Sequence, residues 1–239
     1  MNNTENILSQ ITKDRNRTNL LKKHEQNLLA FLVQRIPSRI SSDMLTAVGL
    51  AGSFVTAASF ILANYVHRSL LLFGILGFAI NWFGDSLDGR LAYFRNKPRK
   101  WYGFSLDLTV DWVTIILIGL GYIVYTDGWW KLLGFGFVVL YGWAMMTALL
   151  RYRIVNQYTI DSGLFGPSEA RILISLFLAV EVLLPGSIGY CGIIACVMLF
   201  TVNIIDSVKL FKAADNRDKE EKTGKSPLCS RIENGIPEQ

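Results

Sequence analysis

The chain has 239 residues, of which 51% are hydrophobic and 12% aromatic, and 24 Lys and Arg against 19 Asp and Glu give a formal charge of +5. The apolar residues come in long blocks, which excludes an ordinary soluble globule and places a single domain among the polytopic membrane proteins. The basic residues sit beside those blocks, so anionic lipid headgroups rather than nucleic acid are the expected counterpart of the charge.

Residues 1–17 are polar. Between Thr18 and Ile36, the residues Leu21, Leu28, Leu32 and Ile36 fall on one helical face, with Lys22, Lys23, Gln26 and Arg35 elsewhere. That stretch is too charged to span, and it predicts an amphipathic helix lying in the headgroup layer. Pro37 ends it, and Ser41-Ser42-Asp43 offers an N-cap for the segment that follows. The first forty residues lack an early apolar core with a small-residue cleavage site, so no cleavable signal is expected.

Six apolar segments follow, each long enough for a hydrocarbon core of roughly 30 Å. They lie at about 43–65, 69–93, 104–126, 130–152, 166–184 and 187–210. The expected fold is an all-α membrane protein, with a six-helix transmembrane domain (43–212) behind a cytoplasmic N-terminus (1–42) that carries the interfacial helix. With the N-terminus inside, 22 of the 24 Lys and Arg fall on the cytoplasmic side, leaving Arg68 and Lys131 outside. Such a bias sets orientation, and Trp129 and Trp130 suit an aromatic belt at the far interface. Glycines are dense in the spans (Gly74, Gly77, Gly119, Gly121, Gly134, Gly136, Gly142), where small residues let helices pack closely. Cys191 and Cys196 read as small core residues, and Cys229 adds no metal or disulfide spacing. His24 and His67 have no partner motif. From Ala213 to Gln239 the composition is polar and charged, with Gly and Pro, and predicts a disordered cytoplasmic tail.

The chemistry is concentrated between the second and third spans. The sequence there reads Asp85-Ser-Leu-Asp88-Gly89-Arg90-Leu-Ala92-Tyr93, then a basic run to Lys100, then Gly103-Phe-Ser-Leu-Asp107-Leu-Thr-Val-Asp111. Asp85 and Asp88 are three apart and Asp107 and Asp111 four apart, so each pair shares a face of its own helix. A hairpin would bring four carboxylates together, and like charges so crowded call for a cation between them. Hard divalent ions take oxygen ligands of this kind. A single Asp at a helix end is commonly only a cap. Four at this spacing, at the edge of apolar spans where an ionisable group is costly, point to function.

This stretch resembles the signature of the CDP-alcohol phosphotransferases, D-x-x-D-G-x-x-A-R-x8-G-x3-D-x3-D. Asp85, Asp88, Gly89, Ala92, Gly103, Asp107 and Asp111 match it. Tyr93 stands where the family has Arg, and nine residues instead of eight separate Tyr93 from Gly103. The segment from Ile36 to Thr46 also resembles the family's approach to its first span. The resemblance implies transfer of a substituted phosphoryl group from a CDP-alcohol to an acceptor alcohol or alcohol phosphate, releasing CMP, with two Mg²⁺ or Mn²⁺ ions. Asp85, Asp88 and Asp107 would then be metal ligands and Asp111 the general base. Gly89, Arg90, Ala92, Arg95 and Gly103 would lie along the nucleotide, with Arg90 or Arg95 replacing the family's Arg. Family members are commonly homodimers, so a second copy is an expected partner.

A further charged group lies downstream. Arg151 and Arg153 close the fourth span, and Gly166-Pro167-Ser168-Glu169-Ala170-Arg171 opens the fifth. Arginine suits bidentate phosphate contact, and Arg151, Arg153, Glu169 and Arg171 are candidates for acceptor binding; a plain positive-inside anchor is the alternative. An anionic acceptor favours CDP-diacylglycerol as donor. A soluble CDP-aminoalcohol donating to diacylglycerol is the second arrangement. A divalent-cation transporter and a catalytically silent lipid-binding scaffold are different classes of answer.

Overall fold

The computed structural model describes residues 22–155 and 167–222. They form helices α1 (Lys22–Val33), α2 (Ser42–Tyr65), α3 (Leu72–Phe94), α4 (Lys100–Tyr125), α5 (Lys131–Val155), α6 (Pro167–Leu183) and α7 (Ile188–Lys222). Short 3₁₀ turns at Arg68–Leu71 and Gly128–Trp130 lead into α3 and α5, and no strand occurs among the described residues. Five helical stretches are long and apolar enough to cross a membrane: Ser42–Tyr65, Arg68–Phe94, Lys100–Tyr125, Gly128–Ile154 and Ile188–Lys222. The remaining expected span is α6. Its 17 residues cover only about 25 Å at 1.5 Å per residue, and residues 156–166 before it lie outside the described part.

Local chemistry sets the helix boundaries at the α1–α2 and α3–α4 connections. The Ser41 hydroxyl accepts from the Met44 N–H at 3.2 Å, the N-cap expected for α2. After α3, Asn96 takes a left-handed conformation (φ 53°), which Asn tolerates better than most residues. Pro98 then prevents continuation, and five residues turn the chain from α3 into α4.

The α2–α3 pair is the backbone of the bundle. A Cβ at Gly84 would stand 2.3 Å from the Gly49 nitrogen, and one at Gly52 2.5 Å from the Asn81 nitrogen. The two main chains are therefore in direct contact, as small residues allow. Further out, Gly119 on α4 and Gly134 on α5 approach each other's carbonyls in the same manner. One apolar cluster joins Leu29, Ala30 and Val33 of α1 to Leu45 of α2 and Leu87 and Leu91 of α3. A second, at the opposite end, gathers Phe60, Phe78, Ile115, Ile118, Leu178 and Ile188 from α2, α3, α4, α6 and α7.

In α1 the stripe turned to the protein is Glu25, Leu29, Ala30 and Val33, with Leu32 and Ile36 flanking the cluster, while Leu28 of the expected apolar face is 46% exposed; Leu21 lies outside the described residues. One expectation changes. At the other end, α7 continues as helix to Lys222, past the Ala213 where the tail was expected to begin. Its extension is supported by the i,i+4 pairs Lys219–Asp215 (2.6 Å) and Arg217–Glu221 (3.0 Å). Arg217 also donates to the carbonyls of Arg153 and Ile154 at the end of α5. Residues 223–239, including Cys229, lie outside the described part.

Candidate functional site

The α3–α4 hairpin brings Asp85, Asp107 and Asp111 together, with one carboxylate oxygen of each within 4.8 Å of the others. Asp107 and Asp111 lie on successive turns of α4, and Asp85 faces them from α3. All three are partly buried. The fourth side is closed by α6: Arg171 donates to Asp85 Oδ2 at 2.7 Å and lies 3.9 Å from Asp111 Oδ1. Its side chain is only 13% exposed. Tyr141 of α5 is within electrostatic reach of the same three groups, Asp111, Arg171 and Asp85. Three carboxylates from α3 and α4 thus face one guanidinium from α6.

Asp88 is placed differently. It is 5% exposed, and its Oδ2 accepts from the Thr46 hydroxyl of α2 at 2.7 Å. Its Oδ1 is close to the Gly89 N–H, and its main-chain carbonyl accepts from the Ser42 hydroxyl at 2.8 Å. Asp88 therefore stands on the α2 side of the hairpin, outside the group formed by the other three. Thr46 was visible in the sequence only as the end of the segment preceding the first span.

The hinge arginines are largely committed to the scaffold. Arg95 donates to the carbonyls of Pro37 (2.8 Å), Ile36 (3.3 Å) and Ile40, closing the α1–α2 connection. Arg90 is 3% exposed and donates to the Ser86 carbonyl one turn back. Arg99 pairs with Asp43 and covers the Tyr102 ring at 4.3 Å. By contrast, nothing lies within 4 Å of a Cβ built at Gly103, so the backbone at the start of α4 is open to an incoming ligand. Gly89 and Ala92 are partly exposed on the last turns of α3.

The downstream group divides. Arg171 enters the acid pocket, whereas Arg151 pairs with Asp206 of α7 at 3.4 Å, beside Lys209 at 3.7 Å from the same carboxylate. Arg153 is exposed at the end of α5, and Glu169 is partly buried on the first turn of α6. Ser168 on that turn donates to Glu25 of α1 at 3.1 Å, which ties the first helix to the one carrying Arg171.

A buried acid at the far end was not foreseen. Glu181 is 3% exposed and accepts four hydrogen bonds, from Tyr125 Oη (2.9 Å), Gly186 N (3.1 Å), Ser187 Oγ (3.1 Å) and Ile188 N (2.8 Å). It caps the start of α7, a saturated structural carboxylate. Its only sequence trace is an acid inside an apolar segment.

A scan against protein-family models and a search of curated proteins both return no match for this chain.

Proposed function

We propose that the chain is an integral-membrane CDP-alcohol phosphotransferase, acting on CDP-diacylglycerol and a small polar, anionic acceptor. The observation that carries this reading is the convergence of Asp85, Asp107 and Asp111 from two helices, with Arg171 against them. The seven matched signature positions and the open backbone at Gly103 support it.

The donor set is all oxygen and fits a hard divalent cation, Mg²⁺ or Mn²⁺. When bound between carboxylates, such ions neutralise charge on a pyrophosphate and on its leaving group. Asp85 and Asp107 would hold the cation, and Asp88, anchored by Thr46, would join them as the further ligand that the matched signature assigns. Asp111 takes the proton from the acceptor hydroxyl. The acceptor oxygen then bonds to the donor's β-side phosphorus, the bridging P–O bond breaks, and CMP leaves. Positioned bases of this type contribute about 10²–10⁴-fold. Arg171 holds the anionic acceptor near Asp111.

In the same reading α6 is the sixth span, and α1 lies at the cytoplasmic interface with its exposed Leu28 and Phe31 in the headgroup layer. Both termini are then cytoplasmic and the acid pocket opens to the cytosol, where the nucleotide is available. The acids all lie in the halves of α3 and α4 next to the turn that joins them and none in the far halves, which weighs against an ion path across the membrane.

The test is CMP release by purified protein in Mg²⁺ or Mn²⁺, with CDP-diacylglycerol and a panel of acceptor alcohols and alcohol phosphates. CMP formation that depends on one acceptor is the expected result. No release from either CDP-diacylglycerol or CDP-aminoalcohols by folded protein would overturn the assignment, and Mn²⁺ uptake into vesicles would replace it with transport.

A further inference from the structure

Beneath the acid pocket lies a buried polar seam that the reaction as described does not use. Asn81, one turn before Asp85 on α3, is 2% exposed. Its Nδ2 donates to the Gly49 carbonyl and to Ser53 Oγ of α2, each at 3.0 Å. Ser53 Oγ shares a 2.7 Å hydrogen bond with Thr114 Oγ1 of α4, one turn after Asp111. Three helices are thus joined through side-chain polar groups directly below the carboxylates.

One atom of this seam is unmatched: Asn81 Oδ1 is buried with no hydrogen-bond partner. Exchanging the amide oxygen and nitrogen offers no remedy, because it would set Oδ1 against the Gly49 carbonyl, acceptor to acceptor. A buried carbonyl left without a donor is costly, and hydrocarbon around a bundle supplies no donor. A Cβ at Gly49 would stand 3.3 Å from the Asn81 main-chain oxygen and 3.2 Å from the Asp85 nitrogen, so the α2 and α3 main chains are in contact beside this side chain. Asn81 and Asp85 are four apart on α3, and Asp111 and Thr114 three apart on α4, so the carboxylates stand one turn from the seam on the same helix faces. Buried waters settle where several polar groups converge in this way.

We infer that Asn81 Oδ1 binds a buried water molecule that links the Asn81–Ser53–Thr114 seam to the acid pocket, making Asn81 a positioning residue for Asp85 and Asp111. The water donates one hydrogen to Oδ1 and the other upward to a carboxylate, and so restricts the rotamers available to that carboxylate. The kinetic consequence rests on the proposed phosphotransferase reading; the water itself does not.

The first measurement is a high-resolution experimental structure of the wild-type protein, which needs no variant. Solvent density at roughly 2.7–3.2 Å from Oδ1 is expected; a protein donor at that position, or an empty contact, overturns the inference. The second uses Asn81→Leu, close in volume and without polar atoms, with Thr114→Val as its partner. Asn81→Leu should lower kcat about tenfold at nearly constant acceptor KM, and weaken Mn²⁺ binding, followed by paramagnetic resonance, by a few-fold. Adding Thr114→Val should cost little more, since both act through one seam. Raised thermal stability with kcat and Mn²⁺ affinity unchanged is what a dry, unused amide predicts, and would refute the positioning role. If the wild-type protein releases no CMP, the phosphotransferase reading falls, while the solvent density and the Mn²⁺ titration still decide the water.

Discussion

Arg171 Nη2 lies 2.7 Å from Asp85 Oδ2 and 3.9 Å from Asp111 Oδ1, so a single guanidinium on α6 bridges acids from α3 and α4. The pairing has opposite consequences for a cation and for an anion. Removing the positive charge relieves competition for the carboxylates, and deprives an anionic acceptor of its partner. Arg171→Ala should therefore bind Mn²⁺ several-fold more tightly while the acceptor KM rises about tenfold or more, on the scale of a lost charge-assisted hydrogen bond. Arg171→Lys should restore Mn²⁺ affinity to near wild type and KM only in part, because the fork geometry is lost. A change confined to expression level, with both constants intact, would reduce Arg171 to a membrane anchor.

Asp85 and Asp111 share the pocket and are assigned different work. Asp85→Asn should weaken Mn²⁺ binding at least about tenfold, as loss of one carboxylate ligand does. Asp111→Asn should keep Mn²⁺ affinity within a few-fold and lower kcat by about 10²–10⁴. Paramagnetic titration and CMP release on the same preparations separate the two. Equal loss of Mn²⁺ binding in both variants would make Asp111 a ligand instead of the base.

Asp88 is clamped to α2 through Thr46. Asp88→Asn retains shape and the Thr46 contact, so it should abolish turnover with an unchanged melting temperature. Thr46→Val removes the donor and frees the carboxylate, and should lower kcat less than Asp88→Asn does, with stability reduced by about 1 kcal/mol, the worth of a typical hydrogen bond. Comparable turnover in a well-folded Asp88→Asn preparation would take Asp88 out of the ligand set.

Glu181 is the opposite case, a buried acid whose role is architectural. Glu181→Ala strands the Tyr125 and Ser187 hydroxyls and the N–H groups of Gly186 and Ile188. The loss should be about 3 kcal/mol or more, read as an earlier thermal transition in detergent. Activity per folded molecule should stay near wild type, because the pocket lies at the other end of the bundle. A large kcat defect at unchanged stability would reverse that assignment.

The positions of the apolar helices and the spacing of Asp85, Asp88, Asp107 and Asp111 were legible from residue order alone. Hydrophobic length and the 3.6-residue period are local properties, so they report where a helix runs and which side chains share its face. They do not report what that face meets. Periodicity allowed all four acids to converge, but contact between the α2 and α3 main chains at Gly49, Gly52, Gly77 and Gly84 turned Asp88 toward Thr46 and left three acids together. The same long-range packing decided that Arg95 serves the Ile36–Ile40 carbonyls, that α1 docks on α3 through Leu29, Ala30 and Val33, and that Arg171 rather than Arg151 reaches the pocket. Each of those outcomes depends on partners that are tens of residues away in the chain, and only close-packed helices bring such partners within the few ångströms at which hydrogen bonds and ion pairs act.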